Sequence, residues 1–323
     1  MTILVTGAAG FIGAAVSQHL LQRGERVIGV DCVNDYYDPA LKEARLARLA
    51  GQQGFSFQRI DIADRAAMEA LAASRGSEID GIIHLAAQAG VRYSLVNPFA
   101  YVTSNLVGHM TVLEMARHLP NLRHLVYASS SSVYGGNSKV PFSIEDRVDD
   151  PLSLYAATKR ADEALSVSYS HSHGLAQTGL RFFTVYGPWG RPDMAYFSFM
   201  KALMNDQPLR VFGDGSMRRD FTYIDDIVAG VIAALDHPPA KGQHRLYNLG
   251  NNNSASVNDL IAALERATNK RATRDEVTPP PGEVAATWAD IDASKRDLGF
   301  QPKTALPDGI KLFADWYRGF YQN

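Results

Sequence analysis

A tyrosine and a lysine, Tyr155 and Lys159, stand four positions apart in this sequence. In a helix this spacing places both side chains on one face, one turn apart. A phenol with a pKa of ~10 is a weak base at neutral pH, but a nearby ammonium favours the phenolate and lowers that pKa. The pair is therefore a candidate for acid–base catalysis. The alternative is an ordinary pair on an amphipathic helix.

A run of serines, residues 129–132, precedes the tyrosine and is followed by Val133-Tyr134-Gly135. An apolar segment of strand length leads into this run. Groups at the carboxyl end of a parallel strand face the crevice in which such sheets bind ligands. These hydroxyls are therefore candidates for substrate contacts, with a serine-rich turn as the alternative.

A glycine-rich segment, Gly7–Gly13, lies between the first strand candidate and a helix candidate. Glycine permits a tight turn in which backbone N–H groups approach a pyrophosphate, and the helix N-terminus adds partial positive charge. The spacing is GxxGxxG rather than the usual GxGxxG, and a tight turn with close helix packing is the alternative. The cofactor contacts expected from this segment are Gly7, Gly10, Phe11, Ile12 and Gly13.

An aspartate, Asp31, ends the second strand candidate. A carboxylate there can accept hydrogen bonds from the adenosine ribose and repels a 2′-phosphate, so NAD is favoured over NADP. A solvated loop aspartate is the alternative. The ends of the next two strand candidates carry the residues expected to line the adenine and nicotinamide-ribose sides, which are Asp61, Ile62, Ala86, Ala87 and Gln88.

These residues need a scaffold of alternating strands and helices. Several strand candidates are almost continuously apolar, as in strands covered on both faces. The alternation predicts an α/β fold, a Rossmann-type doubly wound parallel sheet. The strand candidates are Thr2–Thr6, Arg26–Asp31, Phe55–Ile60, Gly81–Ala86, Leu122–Ser129 and Ala176–Phe183; the helix candidates between them are Phe11–Arg23, Pro39–Leu49, Arg65–Ala73, Pro98–Leu119 and Ser153–Ser172.

After residue 183 the pattern becomes less regular, with loops rich in glycine, proline and aspartate. We predict an NAD-binding Rossmann domain over residues 1–183. Residues 184–323 are expected to form mainly a smaller mixed α/β lobe that binds substrate, with some chain returning to the first domain. Helices are expected there at Tyr196–Asn205, Ile224–Leu235, Val257–Thr268 and Ala305–Tyr321.

Composition sets the remaining bounds. The chain has 323 residues, a net charge of −2 and no apolar run near the ~20 residues that a membrane span needs. These values indicate no nucleic-acid or membrane partner. A single cysteine, Cys32, rules out an internal disulfide and favours a reducing compartment. The N-terminal residues do not resemble a signal peptide, so we expect a cytoplasmic enzyme.

Taken together, the glycine motif, Asp31, the serine run and the Tyr155/Lys159 pair resemble the extended short-chain dehydrogenases/reductases, specifically the NAD-dependent nucleotide-sugar epimerases and dehydratases. The resemblance implies NAD as cofactor, and a homodimer formed by the helices at Pro98–Leu119 and Ser153–Ser172. It also implies that Lys159 holds the nicotinamide ribose. The implied catalytic residues are Tyr155, Lys159, Ser130 and Ser132, and Asn105 joins the implied cofactor contacts.

Within that family, the residues before Val133 separate the reactions. The shared first step oxidises C4 while the tyrosinate takes the 4-hydroxyl proton, with Ser130 hydrogen-bonded to that hydroxyl. The 4,6-dehydratases carry Asp-Glu before Val-Tyr-Gly, and decarboxylating relatives carry Glu there. This chain has Ser131 and Ser132 instead, which cannot do that acid–base work. The resemblance therefore implies simple 4-epimerisation of a sugar bound by these serines.

Two longer segments, Asn34–Lys42 and Arg181–Ala195, resemble those of the UDP-glucuronate 4-epimerases, which interconvert UDP-glucuronate and UDP-galacturonate. Arg191 matches the position that engages the sugar carboxylate, and a guanidinium can pair a carboxylate bidentately. A surface arginine is the alternative. Thr184 stands where galactose-type epimerases have Asn, and it is expected to contact the substrate differently.

A third segment, Ser216–Asp226, resembles the part of the family that binds UDP. Arg219 matches the phosphate ligand, whereas Arg218 fits a solvated charge. The other expected UDP contacts are Val211 and Phe212 beside the uracil and Asp290 near the ribose. The chain departs from the family at Pro280, where Arg or Gln is frequent, and at Glu283, where Asp is usual.

Two other functions stay open. A 4-epimerase of UDP-glucose, or of a UDP-N-acetylhexosamine or uronate, is the first, because Arg191 favours a carboxylate without excluding neutral sugars. A non-catalytic NAD-binding regulator on this fold is the second. The intact Tyr155, Lys159 and Ser130 argue against the second.

Overall fold

A parallel seven-stranded sheet forms the centre of the computed structural model, which describes residues 1–278 and 284–321. The strands in chain order are β1 (Thr2–Thr6), β2 (Arg26–Asp31), β3 (Phe55–Arg59), β4 (Gly81–His84), β5 (His124–Ser130), β6 (Gln177–Phe182), β7 (Thr184–Tyr186), β8 (Leu209–Phe212), β9 (Arg218–Arg219), β10 (Phe221–Tyr223), β11 (His244–Leu249), β12 (Ala255–Ser256) and β13 (Arg274–Val277). The central sheet has the order β11-β6-β5-β4-β1-β2-β3.

Helices cover both faces of this sheet. On one face α1 and α8 pack together, and on the other α5 contacts both α3 and α6. The helices are α1 (Phe11–Gln22), α2 (Pro39–Ala50), α3 (Arg65–Arg75), α4 (Pro98–Tyr101), α5 (Gly108–His118), α6 (Leu154–His173), α7 (Ala195–Met204), α8 (Ile224–Asp236), α9 (Val257–Thr268), α10 (Asp292–Leu298) and α11 (Leu306–Tyr321).

The alternation of side chains along β1 shows why the sheet needs both helical layers. Ile3 and Val5 belong to the apolar core on the side of α1, whereas Leu4 belongs to the core that contains Met68 of α3 and Val112 of α5. All three β1 side chains are fully buried. A strand with apolar residues on both faces is stable only when both faces are covered. The predicted Rossmann-type fold is confirmed.

Predicted element ends differ from the observed ones for local reasons. The strand predicted over Gly81–Ala86 ends at His84, because its partner β1 ends at Thr6. The single helix predicted over Pro98–Leu119 is divided by a π-helical turn, Val102–Val107. Such turns occur often at functional sites, and this one holds a buried asparagine, Asn105.

The chain after residue 183 contributes to two parts of the molecule. Three small sheets pair β7 with β10, β8 with β13 and β9 with β12, while α9 and α11 pack together beside them. Strand β11 returns to the edge of the central sheet, and α8 packs against α1. Among the helices of residues 1–278 and 284–321, none combines the length and apolar character needed to cross a membrane.

Candidate active site

The glycine-rich turn between β1 and α1 depends on missing side chains. Gly7 adopts a φ of +75°, and its carbonyl accepts a 2.9 Å hydrogen bond from the Gly10 amide. A Cβ on Gly13 would lie 2.0 Å from that same carbonyl oxygen. Helix α1 begins without a side-chain cap and has no acidic residue in its first turn. Its N-terminal amides therefore suit a pyrophosphate.

Asp31 lies beside this turn at the end of β2. One carboxylate oxygen accepts a hydrogen bond from the Ala9 amide at 3.0 Å, and the other accepts one from the Val33 amide at 2.8 Å. These bonds hold the carboxylate in place, and each oxygen keeps a lone pair for a ribose hydroxyl. Its negative charge disfavours a phosphate at the same position. The turn and Asp31 together fit the adenosine half of NAD.

The segments after β3 and β4 bring the other expected cofactor residues to the same edge of the sheet. Asp61 accepts a 2.9 Å hydrogen bond from the Ala63 amide and is exposed, whereas Ile62 is buried. Ala86 follows β4, and its amide donates to the Thr6 hydroxyl at 3.2 Å. Ala87 and Gln88 continue this segment toward the π-helical turn.

Asn105 links the segment after β4 to α6. Its side-chain oxygen accepts a 2.8 Å bond from the Gln88 amide, and its nitrogen donates to the Gln88 carbonyl and to the Thr158 hydroxyl at 3.1 and 2.9 Å. Both amide hydrogens are thus used within the protein. The geometry favours a role for Asn105 in positioning Gln88 and the neighbour of Lys159.

Helix α6 presents the acid–base pair. The Ser153 hydroxyl caps the helix by accepting from the Ala156 amide at 3.1 Å, so that Tyr155 lies in the first turn. Lys159, one turn later, is 3% exposed, and its ammonium donates to the Ala128 carbonyl of β5 and to Asp162, both at 3.0 Å. The ammonium is therefore anchored at the end of β5.

Buried acidic residues lie under this pair. Burial raises the pKa of Asp162 to about 6, although the Lys159 ammonium opposes the shift. Glu163 accepts two bonds from Arg181 at 2.8 and 2.9 Å and one from the Ser129 hydroxyl at 2.6 Å. The sequence interpretation did not include these acidic groups. Asp162 and Glu163 follow Lys159 by three and four positions, so a helix places them near its face. This spacing was the sequence feature that could have predicted their proximity to Lys159.

The serine run divides at the end of β5. Ser129 turns inward to Glu163, whereas the Ser130 hydroxyl accepts from the Ser132 amide and donates to the Ser132 hydroxyl, both at 3.2 Å. Ser131 and Ser132 are partly exposed and begin a short 3₁₀ helix, Ser131–Tyr134. Hydroxyls of Ser130 and Ser132 therefore meet at the edge where the cofactor residues gather.

We call the space between this edge of the sheet and the loop after β7 the cleft. In that loop, Arg191 is held by an acidic neighbour. Its guanidinium donates to both carboxylate oxygens of Asp193 at 3.1 and 2.5 Å, and the Tyr36 hydroxyl donates to Asp193 at 3.2 Å. Burial opposes the charge of Arg191, but Asp193 and the nearby Tyr36 and Tyr155 raise its pKa above the usual value. The rings of Tyr36, Tyr93, Tyr101 and Tyr155 follow one another at centroid distances of 4.8, 6.3 and 6.0 Å, and this row connects the Arg191–Asp193 pair to Tyr155.

Three of the four residues expected to bind UDP lie in the small sheets, as does Thr184. Val211 is buried within β8, and Phe212, at the end of that strand, has the Arg92 guanidinium 4.3 Å from its ring centroid. Arg219 lies in β9, and Thr184 begins β7, where its amide donates to the Asp220 carbonyl at 3.0 Å.

Asp290 belongs to a junction around Asn248 on β11. The Asp290 carbonyl accepts a 3.0 Å bond from the Asn248 side chain, and the Asp290 carboxylate accepts one of 2.9 Å from the Asp292 amide, just before α10. Among the expected positions, Pro280 and Glu283 lie outside the described residues.

Comparison with known proteins identifies the class. The sequence model of the NAD dependent epimerase/dehydratase family matches residues 3–250, and the chain belongs to that family. This confirms the resemblance predicted from the motifs. The family depends on NAD, which agrees with the fit of the glycine turn and Asp31 to a dinucleotide.

Individual relatives are more specific. The chain is 47% identical to UDP-glucuronate 4-epimerase 3 of Arabidopsis thaliana, over 99% of this chain and 77% of that protein. It is 44% identical to protein CapI of Staphylococcus aureus over the full length of both. Its structure resembles the UDP-glucuronic acid 4-epimerase of Bacillus cereus in complex with UDP-glucuronic acid and NAD, with 38% identity, a TM-score of 0.91 and coverage of 99% and 100% of the two chains.

Proposed function

We propose that this chain is a UDP-glucuronate 4-epimerase that interconverts UDP-glucuronate and UDP-galacturonate and keeps NAD bound between turnovers. The observation that carries the proposal is the row of tyrosine rings, from Tyr36 to Tyr155, that connects the Arg191–Asp193 pair to the acid–base candidate. It brings a carboxylate-pairing guanidinium to the side of the site that holds Tyr155. The likeness to UDP-glucuronate 4-epimerases supports it.

The residues at the end of β5 and on α6 supply the acid–base chemistry. The chemistry supplied by bound NAD is reversible hydride acceptance from C4 of the sugar. Tyr155 takes the proton of the 4-hydroxyl and later returns it, while the anchored ammonium of Lys159 stabilises the phenolate. Ser130 and Ser132 hydrogen-bond the 4-oxygen and orient the sugar. Neither serine can remove a proton from carbon, so the keto sugar is reduced again on its other face.

The sugar carboxylate needs a restraint during this cycle. A 4-keto uronic acid is a β-keto acid, and it loses CO₂ when the bond to its carboxylate aligns with the carbonyl π system. Pairing with Arg191 and hydrogen bonds from Ser131 and Thr184 hold that bond out of alignment. We therefore assign carboxylate restraint to this side of the cleft, and binding of UDP to Val211, Phe212, Arg219 and Asp290.

The same proposal includes the organisation of the chain. Residues 1–183 form the NAD-binding part with the catalytic groups, and residues 184–323 mainly bind the UDP-sugar. The location we infer is cytoplasmic, in keeping with a single cysteine.

We also propose a homodimer. Leu95, Val96 and Phe99 are 81%, 77% and 79% exposed, and Val102 and Val107, at the two ends of the π-helical turn, are also exposed. Large apolar side chains exposed this close together along the chain are typical of an interface. The paired helices would be those of the predicted interface, residues 98–118 and α6, where Val167 is also exposed. Light scattering should give twice the monomer mass, and Phe99→Glu should give monomers.

One observation favours a neutral sugar as a second candidate. Asp193 already occupies the guanidinium of Arg191, so a carboxylate must compete with it, whereas UDP-glucose would leave this ion pair intact. The function would then be 4-epimerisation of UDP-glucose or a UDP-N-acetylhexosamine.

A single comparison separates these functions. The purified protein is incubated without added NAD with UDP-glucuronate, UDP-glucose or UDP-N-acetylglucosamine, and the products are resolved by chromatography. We expect UDP-galacturonate, with a kcat/KM at least ~100-fold above that for the neutral sugars, which corresponds to about 2.7 kcal/mol of discrimination. Equal or higher kcat/KM for a neutral sugar would contradict the proposal, and a strict need for stoichiometric NAD would indicate a dehydrogenase.

A further inference from the structure

A fully buried arginine, Arg45 on α2, lies between the two sides of the cleft. None of the ion pairs among the described residues includes it. A buried charge is costly unless its hydrogen-bonding groups are satisfied. The guanidinium is instead surrounded by backbone carbonyls and a phenolic hydroxyl, which accept its hydrogen bonds.

Those contacts reach both sides of the cleft at once. The Arg45 guanidinium donates to the Ala9 carbonyl in the glycine-rich turn at 3.1 Å. It also donates to the Trp189 carbonyl at 3.0 and 2.6 Å and to the Gly190 carbonyl at 2.9 Å, immediately before Arg191. A further bond of 2.6 Å goes to the Tyr37 hydroxyl. One side chain thus joins the cofactor turn to the segment that carries Arg191.

The segment held by Arg45, residues 187–193, has a backbone that needs external support. Trp189 has a φ of +64°, which is strained for a residue with a side chain. Gly190 is tightly enclosed, since a Cβ there would lie 1.8 Å from the Tyr196 hydroxyl oxygen. Strained backbone persists where surrounding contacts determine it, and here the carbonyls of Trp189 and Gly190 are the groups that Arg45 binds.

A second link runs in parallel. Tyr36, next to Tyr37 in the loop before α2, donates to Asp193, the partner of Arg191. Residues 36–45 therefore bind residues 187–193 at two points. Arg45 binds the carbonyls before Arg191, and Tyr36 binds the carboxylate of Asp193 after it.

We propose that Arg45 is a positioning residue that couples the two sites: NAD seated on the glycine-rich turn fixes Ala9, and through Arg45 it fixes residues 187–193 so that Arg191 can receive the sugar carboxylate. Displacing any of the bound carbonyls leaves a donor of a buried cation unpaired, which is why the two segments hold one relative position. The carboxylate part rests on the proposed function, whereas the link between the two segments does not.

The link itself is tested by amide hydrogen exchange in protein stripped of its NAD and in the same protein at saturating NAD. We expect NAD to slow exchange in peptides covering residues 7–13 and also residues 187–193 of the wild-type protein. Arg45→Lys keeps the charge but cannot span the same carbonyls, so NAD should protect residues 7–13 and no longer residues 187–193. If NAD leaves residues 187–193 of the wild-type protein unprotected, the link is overturned whatever the substrate is.

A matched control is available on the same helix. The Arg48 guanidinium lies 4.6 Å from the centroid of the Trp189 ring and is not bonded to the carbonyls that Arg45 binds. Arg48→Lys should therefore leave NAD-dependent protection of residues 187–193 intact. Loss of protection in both variants would show that contacts between α2 and the segment in general, and not the carbonyl bonds of Arg45, carry the link, and the assignment to Arg45 would then be wrong.

The carboxylate part is tested by a double-mutant cycle. Arg45→Lys should raise KM for UDP-glucuronate at least about tenfold, a usual size for coupled sites, with a smaller change in kcat. In a protein that already carries Arg191→Ala, Arg45→Lys should have little further effect on KM. The reason is that Arg45 acts on KM through the contact between Arg191 and the sugar carboxylate. Independent, additive effects would refute this part. Absence of UDP-glucuronate turnover in the wild-type protein would instead refute the proposed function and leave the exchange result standing.

Discussion

The two sides of the cleft are shaped by different means. On the cofactor side, the backbone determines the surface: Gly7 and Gly13 approach so closely that a Cβ has no room, and Asp31 is fixed by two amides. On the sugar side, side chains hold one another, as Arg191 is paired with Asp193 and Asp193 with Tyr36.

This difference predicts how amino-acid substitutions on each side affect binding and activity. A backbone surface fails when any side chain is added, because the collision cannot be relieved by a rotamer. A surface of paired side chains can exchange partners, so single changes there should alter selectivity before they abolish activity. Substitutions on each side test this contrast, and the largest effect is expected at the group that both sides share.

Tyr155→Phe should have the largest effect, since it removes the acid–base group between the two sides. We expect kcat for UDP-glucuronate to fall about 10³-fold or more, within the range of general acid–base catalysis. Bound NAD, measured after denaturing the purified protein, should be unchanged. A variant with near-normal kcat would show that Tyr155 is not the acid–base group.

Gly13→Ala tests the backbone side. The new Cβ would meet the Gly7 carbonyl oxygen at 2.0 Å, and overpacking of this kind costs about 1–3 kcal/mol. We expect the Kd for NAD to rise ~10- to 100-fold, as measured by calorimetry. Gly51→Ala is the control, because a Cβ there meets nothing within 4 Å. Equal affinity in both variants would argue against the close approach.

Asp31→Ala tests the side chain that the backbone positions. It removes the acceptor for the adenosine ribose and the repulsion of a 2′-phosphate, so NAD should bind about tenfold more weakly and NADP more tightly. The ratio of the two Kd values is the measurement. If neither affinity changes, Asp31 only stabilises the loop at Ala9 and Val33.

Arg191→Ala tests the sugar side and should have the smallest effect on NAD. We expect a severalfold increase in the fraction of decarboxylated UDP-pentose among the products of UDP-glucuronate, because the carboxylate is less restrained. Asp193→Asn, which weakens the competing ion pair, should shift that ratio the other way. An unchanged ratio of epimer to pentose in Arg191→Ala would contradict the restraint.

The central sheet was largely predictable because its strands are buried on both faces and read as apolar runs. Strand β11 was not predicted: His244, Arg245 and Asn248 interrupt its apolar pattern, as an edge strand allows. Strand β11 therefore forms because it pairs with β6 in the folded protein, and its local sequence pattern does not predict it.

The site was predictable where spacing alone places residues together, as for Tyr155 and Lys159 or the glycine turn. It was not predictable where partners come from distant segments. The sequence suggested a carboxylate contact for Arg191, but the Tyr36 hydroxyl that binds its partner Asp193 comes from a segment 157 positions away. No feature of the sequence around Arg45 predicted that this side chain would be buried and would bind the Trp189 carbonyl. Every residue has a backbone carbonyl, so the type of the accepting residue does not indicate that its carbonyl binds Arg45.

The indole of Trp189 also gives the segment a built-in optical signal. Its ring lies 5.3 Å from Trp316, 5.1 Å from Phe320 and 4.6 Å from the Arg48 guanidinium, measured to ring centroids. Small movements of the neighbouring Arg191 would change the surroundings of this fluorophore. Its emission, separated from that of the other tryptophans by a Trp189→Phe reference, can therefore follow each binding event in real time without an attached dye.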